Sequence, residues 1–317
     1  MTVCAYCQRD RQPTREHVIP AFIYAFQKQL EQGIIGWNEV AQRMVGGEGK
    51  VKDVCAECNN AVLGQLDTYG KQLFTESGLL VQNYTKTTLS LKYDYSLLLR
   101  WLMKISFNSS RTDGVHAPIF AEHIQFMRGL ASPPPRHRVA AVLYLARPEL
   151  LGKSRITSEP FVKVAQGSNL LNPFLVRISY GVQPGENEYL LRLNIFGPAV
   201  FYLLFFHDHV LPGHAAAAIR RLLKHISTGV ELAPRRKLVE VSAGEQSWLD
   251  LYEPQVARTI ALRAGTHSGI RRILASSPHT AHRAGPQCAV QQVGSLDEVS
   301  FSPTRCNPGP CTTGLSR

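Results

Sequence analysis

Two short stretches decide how the first part of the chain is read: Cys4-Ala5-Tyr6-Cys7 and Cys55-Ala56-Glu57-Cys58-Asn59-Asn60. Each opens on a C-x-x-C pair. Two intervening residues let both thiolates of a pair reach one tetrahedral ion, at roughly 2.3 Å from sulfur to zinc. Two matched pairs complete a Cys4 site, and in a cytosolic chain this pattern binds zinc more often than it forms disulfides. Cys4, Cys7, Cys55 and Cys58 are therefore the candidate structural zinc ligands, set against four unrelated thiols or a redox pair. The remaining cysteines, Cys288, Cys306 and Cys311, have no matched spacing and receive no metal. The 47 residues between Cys7 and Cys55 exceed ordinary zinc-ribbon spacing, so that segment must carry something of its own.

Working outward, the segment holds Thr14-Arg15-Glu16-His17-Val18-Ile19-Pro20. Proline cannot donate a ladder hydrogen bond, so Pro20 fits a strand exit. Gly46-Gly47-Glu48-Gly49 reads as a turn, and residues 51–54 as a short strand. Val62, Leu63, Leu66 and Tyr69 have helical spacing, so a helix starts at the second cysteine pair. Phe22, Ile23, Phe26 and Leu30 predict a further helix inside an insertion over residues 21–45.

The order C-x-x-C, Glu-His-Val-Ile-Pro, C-x-x-C-Asn-Asn resembles the HNH endonucleases, in the subgroup braced by a Cys4 zinc. The resemblance covers about residues 1–70. It implies a ββα-metal (His-Me finger) motif, a two-stranded hairpin followed by a helix. It also implies hydrolysis of phosphodiester bonds, leaving a 5′ phosphate and a 3′ hydroxyl. The chemistry needs a base for water, neutralisation of the phosphorane charge and stabilisation of the leaving oxygen. Histidine suits the first task, since its unperturbed pKa of about 6.5 keeps it receptive near neutral pH. His17 is the candidate general base. One divalent ion serves the other two tasks, and hard oxygen ligands favour Mg²⁺ or Mn²⁺. Neighbours on a strand point to opposite faces, so Glu16 cannot share the work of His17 from one regular strand. By resemblance Glu16 is a ligand of the catalytic metal, reached where the strand bends, and Asn59 occupies the third signature position and ligates the same ion. Asn60 is a second candidate for that place. Asp67 could orient a ligand, but reads more simply as a solvated helix residue. The family's middle asparagine, which orients the histidine loop, is missing: Lys50, Val51, Lys52 and Asp53 stand in that stretch, and Asn38 lies too far upstream. Asp53 is the candidate substitute orienter.

Beyond the motif the chain predicts an α+β fold. Residues 79–91 read as extended, and 95–107 as a helix with Leu98, Trp101, Leu102, Ile105 and Ser106 on one face. Arg100, Lys104 and Arg111 would lie on the other side, solvated or against a phosphate backbone. Ser132-Pro133-Pro134-Pro135-Arg136-His137-Arg138 is a stiff loop. Strands are expected over 139–146, 174–180, 189–196 and 200–206, with a hairpin loop at 183–187. The unbroken apolar run over 200–206 predicts a central strand covered on both faces. Helices are expected over 212–226 and 247–262. His207 and His209 share a strand face but lack a third ligand, so no metal is assigned there. Residues 265–317 lose all periodicity and are expected to be disordered. The organisation is thus an HNH and zinc-binding head at 1–72, an α+β body at 73–264, and a tail at 265–317.

Charge sharpens this division. The chain of 317 residues carries 35 Lys+Arg against 24 Asp+Glu. Residues 1–80 hold 8 against 9, residues 81–264 hold 22 against 13, and residues 265–317 hold 5 against 2. The basic surplus lies behind the candidate cutting motif, where it would grip nucleic acid, DNA rather than RNA, through phosphates. No apolar run reaches about 18 residues, so no membrane partner is expected. The first residues show no charged-then-apolar signal pattern, which predicts a cytoplasmic protein. The sequence does not specify an oligomeric state. Two other readings fit the same residues: a catalytically inactive zinc-ribbon module that binds nucleic acid, and a zinc-stabilised protein-interaction scaffold.

Overall fold

The computed structural model describes residues 2–30, 35–38, 43–46, 48–113, 116–151, 164–181 and 188–251. The expected tail at 265–317, the hairpin loop at 183–187, Gly47 and the later part of the helix expected over 247–262 lie outside the described residues.

The chain is mixed α+β. It opens with β1 (Thr2–Val3), β2 (Asp10–Arg11) and β3 (Pro13–His17), then α1 (Ala21–Gln29). The strands β4 (Ile35–Asn38) and β5 (Arg43–Gly46) form a small hairpin of their own, and β4 contains Asn38. Next come β6 (Lys50–Cys55), a π-helical stretch over Glu57–Leu63 and α2 (Gly64–Glu76). The body contributes β7 (Thr88–Lys92), α3 (Tyr95–Asp113), α4 (Ile124–Met127), β8 (Val139–Arg147), β9 (Glu149–Leu150), β10 (Leu170–Leu171) and β11 (Val176–Gly181). It ends with β12 (Tyr189–Phe196), β13 (Ala199–Phe206), α5 (Pro212–His225), β14 (Val230–Leu232) and β15 (Leu238–Ser247).

Physical chemistry accounts for the boundaries. Pro20 caps α1 and Pro212 opens α5, where a missing N–H costs nothing. Gly78, at φ 70°, ends α2 in the left-handed conformation, and the Leu79 N–H closes back on the Phe74 carbonyl at 2.9 Å. Only β7 realises the extended stretch expected over 79–91.

The main sheet has seven strands, in the order β11-β12-β13-β8-β15-β7, with β14 also paired to β8. All pairs are antiparallel except β15 with β8. Every residue of β13 is buried, as the unbroken run predicts. Alternate residues enter two cores. Ala199, Phe201, Leu203 and Phe205 join the core that holds α3, while Val200, Tyr202, Leu204 and Phe206 meet Ala215, Ala218 and Ile219 of α5. The sheet is thus covered on both faces, and α3 lies between it and the N-terminal hairpin.

That position changes the reading of two features. Residues Leu98 to Phe107 of α3 are buried on all sides, apart from a partly exposed Arg100. Lys104 is fully buried, Arg111 is nearly so, and the Arg100 side chain donates to the Met127 carbonyl at 3.1 Å. Lys104 and Arg111 therefore lie neither on a solvated face nor on a phosphate-facing one, the two readings the sequence left for them. The warning was in the sequence: a helix hydrophobic nearly all round is a buried helix. Second, the expected boundary at 72/73 falls inside α2, and one hydrophobic core runs from Cys4 and Tyr6 through Leu66 and Trp101 to Phe201 and Val241. Head and body share that core. Among the described residues, no helix is long and apolar enough to cross a membrane.

Candidate functional site

The antiparallel pair β3–β6 leads directly into the helical stretch that starts at the second cysteine pair. The register is broken by a bulge between Thr14 and Glu16, where the pairs Thr14–Val54 and Glu16–Val51 leave one extra residue on β6. Bulges bend a strand and re-aim its side chains, and this one sits immediately before the Glu16-His17 pair.

Cys4, Cys7, Cys55 and Cys58 converge, and their sulfurs all lie within 4.8 Å of one another. Cys7 and Cys55 sulfurs are 3.8 Å apart. A tetrahedral ion at about 2.3 Å from each sulfur requires an edge of about 3.8 Å. The surroundings fit as well. The Cys55 N–H donates to the Cys4 sulfur at 3.3 Å. Burial disfavours the Cys4 thiolate, yet N–H donors of Cys55, Cys7 and Tyr6 outweigh it and bring that thiol down to about 7. Burial, reinforced by the neighbouring sulfurs, pushes Cys58 far up. Four crowded thiolates need a cation to coexist, and this set could hold a soft, sulfur-preferring metal ion such as zinc. Among the described residues it is the one cluster of this kind.

His17 lies half-buried at the strand exit. Its Nε2 is 2.8 Å from Glu48 Oε2. A carboxylate only accepts, so Nε2 is the donor in this contact and Nδ1 is left to face elsewhere. Glu48 also meets Lys28 at 2.6 Å and Lys50 at 3.0 Å. Hydrogen bonds from Lys28, His17 and Lys50, in that order, hold its carboxyl down at about 2. The backbone that follows Glu48 is itself pinned. Gly49 accepts from the Val18 N–H at 2.9 Å and donates to the Tyr24 hydroxyl at 3.0 Å.

Glu16 faces the other way, as strand alternation requires. It is 4% exposed, and its carboxylate pairs with Lys104 Nζ at 2.7 Å. Lys104 also meets Asp67 at 2.7 Å, and Trp101 Nε1 donates to the other Asp67 oxygen at 3.2 Å. Asp67 is therefore a fixed partner of a buried ammonium, not a solvated helix residue. Asn59 donates from Nδ2 to Thr14 Oγ1 at 2.9 Å and to the Arg15 carbonyl at 3.2 Å. Thr14 Oγ1 in turn donates to the Val54 carbonyl at 2.7 Å. Asn59 thus ties the helix to β3 opposite the bulge, while Asn60 is exposed.

The structure brings His17 and Glu16 of the hairpin close to Asn59 of the helical stretch that follows it, but gives them separate partners. Glu16 and Asn59 do not combine into a hard-oxygen cation site as they stand, because an ammonium already neutralises the Glu16 carboxylate. The expected Mg²⁺ or Mn²⁺ ligand set does not fit this geometry. The sequence reading gives Glu48, Lys104 and Asn108 no place beside Glu16 and His17. Glu48 was within reach of it, as the one charged residue of a glycine turn facing the strand of His17. His207 and His209 stack with ring centroids 5.8 Å apart, and Asp208 pairs with Arg138.

Comparison of the chain with protein-family models, with curated proteins and with solved structures gives no match.

Proposed function

We propose that the protein is an endonuclease of the HNH type that hydrolyses phosphodiester bonds of nucleic acid, DNA before RNA. The observation that carries this reading is His17. A half-buried imidazole sits at the exit of a cysteine-braced hairpin, with one ring nitrogen committed to the Glu48 carboxylate at 2.8 Å. Glu48 fixes the ring's orientation and tautomer, and steadies the imidazolium that forms when Nδ1 takes a proton from the attacking water. Lys28 and Lys50 stand beside this pair and bring positive charge to where a phosphate would approach. Cys4, Cys7, Cys55 and Cys58 would hold the structural zinc, which fixes the strand and helix that frame His17.

The test is cleavage of a supercoiled plasmid by the full chain, with Mg²⁺, with Mn²⁺ and with chelator. Wild type should nick the plasmid, and His17→Ala should lose at least about 100-fold of the rate while keeping its fold and zinc. Cutting by His17→Ala at the wild-type rate would overturn the base assignment. The three ion conditions decide whether a divalent cofactor is needed at all.

One observation favours a second reading. The carboxylate expected to bind a catalytic ion is spent on Lys104. A non-cleaving zinc module that binds nucleic acid needs no such ion. It predicts salt-sensitive DNA binding with no product in any of the three conditions.

A further inference from the structure

A buried polar side chain with every hydrogen-bonding position filled defines the orientation of whatever it touches. Asn108 of α3 is such a residue. It is fully buried. Its Nδ2 donates to the His17 carbonyl at 2.9 Å and to Glu16 Oε1 at 3.3 Å. Its Oδ1 accepts from the Tyr6 hydroxyl at 2.7 Å and from Arg111 Nη2 at 2.5 Å. The amide cannot be turned around. Arg111 can only donate, so the atom it meets is the amide oxygen. Arg111 continues the chain to Asp53 of β6, at 2.5 Å.

We propose that Asn108 is the positioning residue for His17. This inference rests on the reading of His17 as the base. The amide joins four pieces: the loop of the first cysteine pair through Tyr6, the exit of β3 through the His17 carbonyl, the body through α3, and β6 through Arg111 and Asp53. His17 projects from the very residue whose carbonyl is held. Glu48 fixes the ring from outside, and Asn108 fixes the backbone from inside. Asp53, the orienter expected from sequence, acts only at the far end of this chain. The polar link also gives the Tyr6 hydroxyl, Arg111 and the Glu16 carboxylate a partner that an apolar side chain would deny them. What it adds is a fixed backbone position at one carbonyl.

The test uses the full-length, zinc-loaded chain and the variant Asn108→Ala, with two readouts. The first is the ¹⁵N spectrum of the His17 ring, assigned by its loss in His17→Ala. The second is plasmid cleavage resolved into kcat and KM. The expected result is unchanged zinc content, KM within about twofold, kcat lower by about 100-fold as for a displacement near 1 Å, and loss of the single-tautomer ring pattern. A merely structural residue would leave the ring pattern and the kcat-to-KM split untouched, and that result overturns the proposal. If wild type cuts nothing, the nuclease reading falls, and the ring spectrum alone decides whether Asn108 positions His17. If Asn108→Ala does not fold, Tyr6→Phe decides. It removes one of the two donors to the amide oxygen and should move both readouts in the same direction by less. An unmoved ring in that variant overturns the link.

Discussion

The cysteine cluster and the interior face of α3 both hold the strand that ends in His17, and they do it by opposite means. The cluster works at close range. Four ligands of one chemical type, two to a knuckle, converge on one point. The α3 grip works at long range and with mixed chemistry. Lys104 takes Glu16, Asn108 takes the His17 carbonyl, and Arg111 takes Asp53. One brace asks for a metal ion; the other is made of protein alone and is sealed under the sheet. The difference predicts which brace fails under chelation and which under point substitution.

The largest effect should come from the cluster. Structural zinc contributes apparent binding free energies of about 10–16 kcal/mol in small zinc domains, comparable with the whole stability of an ordinary domain. Cys58→Ser, or a strong chelator, should abolish zinc binding and release the β3–β6 hairpin. Metal analysis and circular dichroism check both. The shared core sharpens the comparison: Phe201, Leu203 and their neighbours should keep the sheet melting cooperatively after the knuckles are lost. Complete unfolding of the body would show that the two braces are one.

Next comes the buried ion pair. Lys104→Met leaves Glu16 charged in a site where it is 4% exposed, and breaking such a pair costs about 3–5 kcal/mol. The double variant Lys104→Met with Glu16→Gln removes both charges and keeps the hydrogen bond to Asn108. It should recover more than half of that loss in urea unfolding. Additive losses would mean that Glu16 and Lys104 are not partners. Zinc content should hold in both variants, which separates this brace from the first.

How much of this was legible follows from the same contrast. Cysteine spacing, the proline exit and the helix after the second knuckle are local signals, and hairpin, cluster and helix all stand where residues 1–70 put them. The doubly covered strand was legible too, because β13 carries eight apolar residues in a row. The α3 contacts were not. Lys104 and Asn108 meet Glu16 and His17 across about ninety residues of chain, and nothing in their spacing announces the meeting. Lysine and arginine read as solvent-facing by default, and only the apolar flanks of Lys104 argue otherwise. Glu16 was misplaced for a related reason. Alternation assigns it a face, but the partner on that face arrives from another element.

A smaller loss is expected at the junction of α2 with α3. Gly70 packs against the Trp101 indole so closely that an added Cβ would collide with the ring. Gly70→Ala should therefore destabilise by about 1–3 kcal/mol, although alanine is the better helix former. Trp101 also holds Asp67, so the shift should loosen Lys104 without touching the cysteines. A stabilised variant in urea unfolding would show that the ring has room to move.

The smallest effect belongs to Glu48, which neither brace buries. Lys28 first, then His17 and Lys50, hold its carboxyl at about 2 against an ordinary value of 4.5. A depressed carboxyl stabilises the fold fully above its unfolded pKa and loses that contribution as pH falls towards the folded value. Wild type should therefore exceed Glu48→Gln in stability near about pH 6 and lose that margin by about pH 2. The margin should stay under about 1 kcal/mol, because the Lys28 ammonium is largely in water and screened. Activity gives the sharper contrast. If His17 is the base of the proposed nuclease, the same substitution frees its ring to choose either tautomer, so cleavage should fall far more than stability does. A variant that lost stability and rate in proportion would make Glu48 one more strut. Loss of rate alone would place the pair outside both braces, at the one point of the hairpin left open for chemistry.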